Sequence, residues 1–220
     1  MEIRIEWSYK TAKGTEAFFR SEEFPAAHAL LIAEDIQKTG RVKSLEFVDR
    51  FDSSWTLKEL KAYLKGIETE PHNVNVYFDG GFDKETGRAG LGCVIYYEQS
   101  GKAYRLRKNV EVAELSSNNE AEYAALHMSV QELERLEVHH LPVVFRGDSN
   151  VVANQMSGEW PVYENDLSRW ADRIEQSLNR LGIQAQYELI PRKANAEADR
   201  LAAQALRGIE ISGTMELEKS

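Results

Sequence analysis

Between Val74 and Arg207 the apolar pattern follows an order that few folds can satisfy: three strand-like runs, then helix, strand, two helices, strand and helix. Val74–Phe78, Ala89–Glu98 and Ala103–Val112 read as strands, separated by a Gly-rich turn (Gly80, Gly81, Gly87) and by Ser100-Gly101. Helical spacing then runs from Asn118 to Leu136, with Glu122, Leu126, Ser129, Leu133 and Leu136 on one stripe. Leu141–Arg146 is a short apolar strand. Ser149–Met156 is a helix broken at Ser157-Gly158, and Asp166–Leu181 is a longer helix. Gln184–Ile190 is a strand and Asn195–Arg207 a last helix. Antiparallel hairpins followed by strand–helix–strand crossovers predict an α/β domain over 74–207, with a five-stranded mixed sheet and helices on both faces.

Residues 1–66 read as a separate small α+β domain of order ββαβα. Ile3, Ile5, Trp7 and Tyr9 alternate with Glu2, Arg4, Glu6 and Ser8, as in a half-buried strand, and Thr15–Arg20 is the returning strand. Pro25 opens a helix that Gly40 ends, Val42–Phe51 is a third strand, and Thr56–Lys65 is a short helix with Leu57, Leu60 and Leu64 on one face. Residues 67–73, with Pro71, read as a linker, and 208–220 as a loosely ordered tail. The first domain is near the lower size limit for folding alone.

Bulk composition excludes several classes. Of the 220 residues, 42% are hydrophobic, enough for a sizeable core, yet no run approaches the roughly 20 apolar residues of a membrane span. The first six residues mix charges and lack a signal-peptide core. A single cysteine, Cys93, forms no intrachain disulfide and agrees with a cytoplasmic protein; inside an apolar strand it reads as a small hydrophobe. No phosphate-binding loop for nucleotide triphosphates and no zinc-spaced Cys/His set occurs. The net charge of −9 argues against a dominant basic surface. Residues 71–207 hold 15 Lys and Arg against 20 Asp and Glu, and two divalent ions would offset four of those acids.

Four acids stand in distinctive local frames: Asp79 in Val76-Tyr77-Phe78-Asp79-Gly80-Gly81, Glu122 in Asn118-Asn119-Glu120-Ala121-Glu122-Tyr123, Asp148 in Phe145-Arg146-Gly147-Asp148-Ser149-Asn150, and Asp199 in Asn195-Ala196-Glu197-Ala198-Asp199-Arg200-Leu201-Ala202. Each alone has a structural reading. Asp79-Gly80 is a common turn, Asp148-Ser149 a common N-cap pair, Glu122 an acid favoured by a helix dipole, and Asp199 a solvated helix residue. Taken together, two end strands that a crossover can set side by side, and Glu122 lies on an apolar stripe where an unpaired carboxylate is costly. Converging carboxylates without Cys or His suit Mg²⁺ or Mn²⁺, and such a site predicts phosphodiester hydrolysis.

On these residues the chain closely resembles the type 1 ribonuclease H family over 74–207: Asp-Gly after the first strand, Asn-Asn-x-x-Glu at the first helix, Asp-Ser after the fourth strand, and Asn-x-x-x-Asp-x-Leu-Ala at the last helix. Gln155-Met156-Ser157-Gly158-Glu159-Trp160 also looks like the segment after the family's second helix. The resemblance implies Asp79, Glu122, Asp148 and Asp199 as catalytic metal ligands for two Mg²⁺ or Mn²⁺ ions, with Asp79 bridging. It implies endonucleolytic cutting of the RNA strand of RNA–DNA hybrids, leaving 5′-phosphate and 3′-hydroxyl ends. It also implies substrate contacts by Gly80, Asn118, Asn119 and Asn150, and a DNA-strand phosphate contact by Ser117. No membrane or nucleotide cofactor is implied, and protein partners are left open.

The chain departs from the family at two places. The loop before the last helix, Pro191-Arg192-Lys193-Ala194, lacks the His that many relatives use in product release; Arg192, Lys193, Asn195 and Glu197 are the residues of this region that could serve. The segment 157–164 holds no Lys or Arg, where one bacterial form has a basic protrusion. In the first domain, Phe51…Trp55-Thr56-Leu57-Lys58-Glu59-Leu60 is similar to the end of a hybrid-binding module, but that module's usual core motif is missing, and fold stabilisation or protein contact is the larger expectation. Two further readings stay open: a non-catalytic nucleic-acid-binding or interaction protein of the same fold, and a nuclease of this fold acting on another substrate.

Overall fold

The computed structural model describes residues 1–218. They fall into two compact units, Met1–Thr69 and a second beginning at Glu70. In the first, β1 (Glu2–Lys10), β2 (Glu16–Pro25), α1 (Ala26–Lys38), β3 (Val42–Asp49), β4 (Ser54–Trp55) and α2 (Leu57–Thr69) form a sheet of order β2-β1-β3-β4 with two helices. Ile3, Ile5, Ala29, Ala33, Phe47 and Leu60 make its core. The two-residue β4 is additional to the expected ββαβα order. Asp49 creates it: its carboxylate accepts from the backbone N–H groups of Phe51 and Ser53 at 2.8 and 3.0 Å and from Trp55 Nε1 at 3.1 Å. The chain therefore turns at Asp49, before Phe51. The segment expected as a linker, 67–73, is largely regular: α2 runs to Thr69 and the next strand starts at His72, on either side of Pro71.

The second unit contains β5 (His72–Asp83), β6 (Arg88–Gln99), β7 (Lys102–Ala113), α3 (Asn118–Arg135), β8 (Pro142–Gly147), α4 (Asn150–Met156), α5 (Asn165–Leu181) and β9 (Gln184–Leu189). A 3₁₀ turn (Arg192–Asn195), α6 (Ala196–Ala205) and β10 (Ser212–Leu217) complete it. Its sheet has order β10-β7-β6-β5-β8-β9, with β5–β8 and β8–β9 parallel and the remaining pairs antiparallel. Among the described residues no helix is long and apolar enough to cross a membrane.

Helices cover both faces. In β6, Leu91, Cys93 and Ile95 alternate into the core that α3 and α5 share, while Gly90 and Gly92 turn to α6. A Cβ on those glycines would lie 2.1 Å from Ala202 O and 2.4 Å from Ala198 O, so the missing side chains let α6 lie directly on the strand.

Two expectations fail here. The sheet has six strands, and the sixth, β10, lies in the supposed loose tail. Buried Asn109 fastens that segment: its Nδ2 donates to Leu201 O and Ile209 O, both at 2.9 Å, and its Oδ1 accepts from Ile211 N at 2.6 Å. Nor do Gly80 and Gly81 form a turn. β5 continues through both to Asp83, and the turn follows, with Gly87 at φ 68°.

Candidate metal centre

β5 and β8 run parallel with Tyr77 paired to Arg146. Two residues further along each chain, the same register sets Asp79 beside Asp148. Glu122 comes from the second turn of α3. Ser117 caps that helix, its hydroxyl accepting from Glu120 N at 3.1 Å, and the Glu120 carboxylate accepts from both the N–H and O–H of Ser116 at 2.8 Å. The cap fixes the start of α3 and hence the direction of Glu122, which leads a buried stripe through Leu126, Ser129 and Leu133. Gly80 admits the helix: its N–H donates to Glu122 Oε2 at 3.2 Å, with no side chain to hold the two backbones apart.

One carboxylate oxygen from each of Asp79, Glu122 and Asp148 lies within 4.8 Å of the other two. Asp79 and Glu122 are only 7% and 6% exposed. Burial, then repulsion from Asp148 and Asp199, pushes Asp79 up to about 7. Burial, then Asp79 and Asp148, pushes Glu122 up to about 9, against the opposing Gly80 N–H and Arg192 charge. Among the described residues neither carboxylate forms an ion pair. An all-oxygen donor set of crowded, unpaired carboxylates fits a hard divalent cation.

Asp199, in the first turn of α6, stands outside this group; its Oδ1 accepts from Arg192 Nη2 at 2.7 Å. The loop before the last helix forms a short 3₁₀ turn, Arg192–Asn195, which takes in Asn195 from the expected helix start. Asn195 in it is 1% exposed, and its Nδ2 donates to Phe78 O and Asp148 Oδ1, both at 2.9 Å. It therefore orients the third carboxylate. Glu197 is turned to the sheet, accepting from Tyr96 O–H at 2.8 Å and pairing with Arg105 at 3.1 Å. Lys193 is exposed.

Of the expected substrate contacts, Asn118 and Asn150 are exposed and Asn119 half-buried. Asn150 Oδ1 accepts from Asn154 Nδ2 at 2.7 Å. Gly80 is buried against α3 with its N–H committed to Glu122, so its place is in the packing. Sequence reasoning missed the anchoring by Asn195 and the partner of Asp199; the Asn-x-x-x-Asp spacing, one helical turn, was the available signal.

A family model described as reverse transcriptase-like matches residues 77–205. The uncharacterized protein YpeP of Bacillus subtilis is 42% identical over 211 residues, covering 95% of this chain and 93% of that one. The chain spans 34% to 64% of other curated relatives, among them a bifunctional protein of Mycobacterium tuberculosis and ribonuclease HI of Halobacterium salinarum. The crystal structure of RNase H1 from Halobacterium salinarum matches with TM-score 0.54 and 29% identity, over 61% of this chain and 98% of that one. LC11-RNase H1, crystallised in complex with an RNA/DNA hybrid, matches with TM-score 0.56 and 28% identity, over 62% and 98%.

Proposed function

The chain belongs to the ribonuclease HI-like family, and from that premise we propose that it is a metal-dependent endoribonuclease cleaving the RNA strand of RNA–DNA hybrids. The observation that carries the reading is the group of buried Asp79 and Glu122 with half-buried Asp148, whose mutual repulsion calls for a cation. These three would hold Mg²⁺ or Mn²⁺, with Asp199 as a fourth ligand. When bound, two such ions activate the attacking water and stabilise the leaving oxygen of the phosphodiester, giving 5′-phosphate and 3′-hydroxyl ends.

The chain's own residues position the substrate. Asn118, Asn119 and Asn150 are proposed to touch 2′-hydroxyls or base edges, the feature by which RNA is told from DNA. The Ser117 hydroxyl accepts from Glu120 N and keeps its proton free for a phosphate of the DNA strand. Asn195 holds the Asp148 carboxylate in place. The unit beginning at Glu70 carries the chemistry, and we place the activity in the cytoplasm.

The full-length protein should cut a hybrid in Mg²⁺ or Mn²⁺ and leave double-stranded RNA, single-stranded RNA and DNA intact. Asp79→Asn should reduce cleavage by at least ~10²-fold, since an ion's stabilisation of the transition state is worth several kcal/mol. Full activity in that variant, or no cleavage by the wild type in either metal, overturns the reading. The net charge of −9 and the absence of Lys or Arg in 157–164 favour a second reading, a non-catalytic hybrid-binding protein; its mark is binding without cleavage.

A further inference from the structure

We infer that Arg192 is a built-in counter-cation of the carboxylate site, and that its ion pair with Asp199 must open before a second divalent ion can engage Asp199. The inference rests on the metal-dependent reading above and concerns the order in which the site fills. It starts from an asymmetry among the four acids. Asp79, Glu122 and Asp148 face one another, whereas Asp199 already has a cationic partner, Arg192 Nη2, at 2.7 Å.

The backbone around Arg192 holds it at the site. Ile190 N donates to Gly147 O at 2.9 Å, next to Asp148, and Ala194 N closes the turn on Pro191 O at 2.7 Å. Pro191 has φ −61°, the value its ring imposes. At the other end, Asn195 Nδ2 grips Phe78 O and Asp148 Oδ1. A turn tied at both ends leaves the Arg192 side chain as the movable part, and that side chain is 78% exposed.

An exposed ion pair is weak, so this contact is a competitor that ions can displace and not a permanent block. The three unpaired carboxylates take the first ion with little hindrance from Arg192. The second must draw Asp199 away from it.

The test is a Mn²⁺ titration of the full-length protein without substrate, by calorimetry and by electron paramagnetic resonance of free Mn²⁺. Arg192→Gln should tighten the second, weaker ion about fivefold, the scale of an exposed ion pair, while the first ion changes less than about twofold. Arg192→Lys should stay near the wild type. In an Asp199→Asn background, Arg192→Gln should no longer change the second ion. Equal or weaker second-ion binding in Arg192→Gln overturns the inference. So does a raised KM for the hybrid with unchanged Mn²⁺ binding, which makes Arg192 a phosphate contact. If the wild type binds no Mn²⁺, the metal-dependent reading itself falls. If it binds two ions and Arg192→Gln matches it, that reading stands and only the role of Arg192 is lost.

Discussion

Gly80→Ala and Gly81→Ala, one residue apart in β5, should move stability in opposite directions. Successive residues of a strand face opposite sides of the sheet, and these two meet different neighbours. A Cβ at Gly80 would lie 2.2 Å from the Ala121 carbonyl carbon, 2.3 Å from its oxygen and 2.4 Å from Glu122 N. All three atoms are backbone, so no rotamer change relieves the overlap, and α3 must back away by roughly an ångström. Overpacking of this kind costs about 1–3 kcal/mol; the upper end is expected because α3 carries Tyr123, Leu126 and Leu133 into the core. Glu122 moves with the helix, and a misplacement of that size costs about 10²-fold in rate. At Gly81 the nearest atom is Leu206 Cδ1 at 3.6 Å, an ordinary contact, and its φ is not positive. Alanine there should be neutral or stabilise by about 0.4–1 kcal/mol through the unfolded chain. Urea unfolding by tryptophan fluorescence reads this, fitted as two transitions because Trp7 and Trp55 lie in the first unit and Trp160 and Trp170 in the second. Single-turnover hybrid cleavage reads the displacement of Glu122. If Gly80→Ala unfolds within about 0.5 kcal/mol of the wild type, the range of an innocuous surface change, the steric reasoning is wrong; equal loss in Gly81→Ala would also refute it.

Other consequences follow from the same geometry. With Asp79 pushed up to about 7 and Glu122 to about 9, the folded metal-free state binds more protons than the unfolded chain, whose carboxylates titrate near ~4. Their contribution to stability is therefore complete below ~4 and is lost as pH rises through about 7 and then about 9. Thermal midpoints in chelator should fall between pH 6 and 9 and should flatten in saturating Mg²⁺; a midpoint rising with pH in chelator contradicts this. Asn195→Ala leaves Phe78 O and the Asp148 carboxylate short of a donor, and should cost about 1–3 kcal/mol and weaken Mn²⁺ binding about tenfold or more, by urea unfolding and calorimetry. Asn109→Ala should release β10, seen as faster amide exchange over 211–217, because the lead-in Ile211 N loses its acceptor.

The parts legible in the sequence are those whose signal is local. β6 is an unbroken buried run from Ala89 to Ile95, and α3 sets Leu126, Ser129 and Leu133 at helical spacing, so a continuous apolar run marks the strand and period marks the helix. β10 has no such signal. Five of its six residues are exposed, and it is a strand because Asn109, about a hundred positions earlier, holds its lead-in. At Gly80 the sequence is ambiguous in principle, since a glycine required for close helix approach looks the same as a glycine required for a turn. The second helix also outruns its expected end at Lys65: α2 continues through Gly66 to Thr69, although glycine costs a helix interior about 1 kcal/mol. At the site, each carboxylate had its own frame, but the role of Asn195 depends on Phe78 O, 117 positions away, and no short window contains that.

The contrast between Glu197 and Asp79 bears most directly on whether the acidic cluster is a working site. Glu197 has fixed partners, a half-buried Arg105 at 3.1 Å and the Tyr96 hydroxyl at 2.8 Å. That is how a protein accommodates an acid whose task is to hold two elements together. Asp79 and Glu122 are more buried and yet form no such pair; their relief is limited to the Gly80 N–H for Glu122 and the charge of an exposed Arg192. Two solutions remain for them, protonation or a cation. Because these exclude each other, the ion that binds Asp79 and Glu122 must release protons near neutral pH, and apparent Mg²⁺ affinity must rise with pH over the range in which metal-free stability falls. Structural carboxylates have no reason to couple the two quantities. Calorimetric titrations in buffers of different ionisation enthalpy count the released protons directly, and a count of zero at pH 7 would return the cluster to a merely structural role.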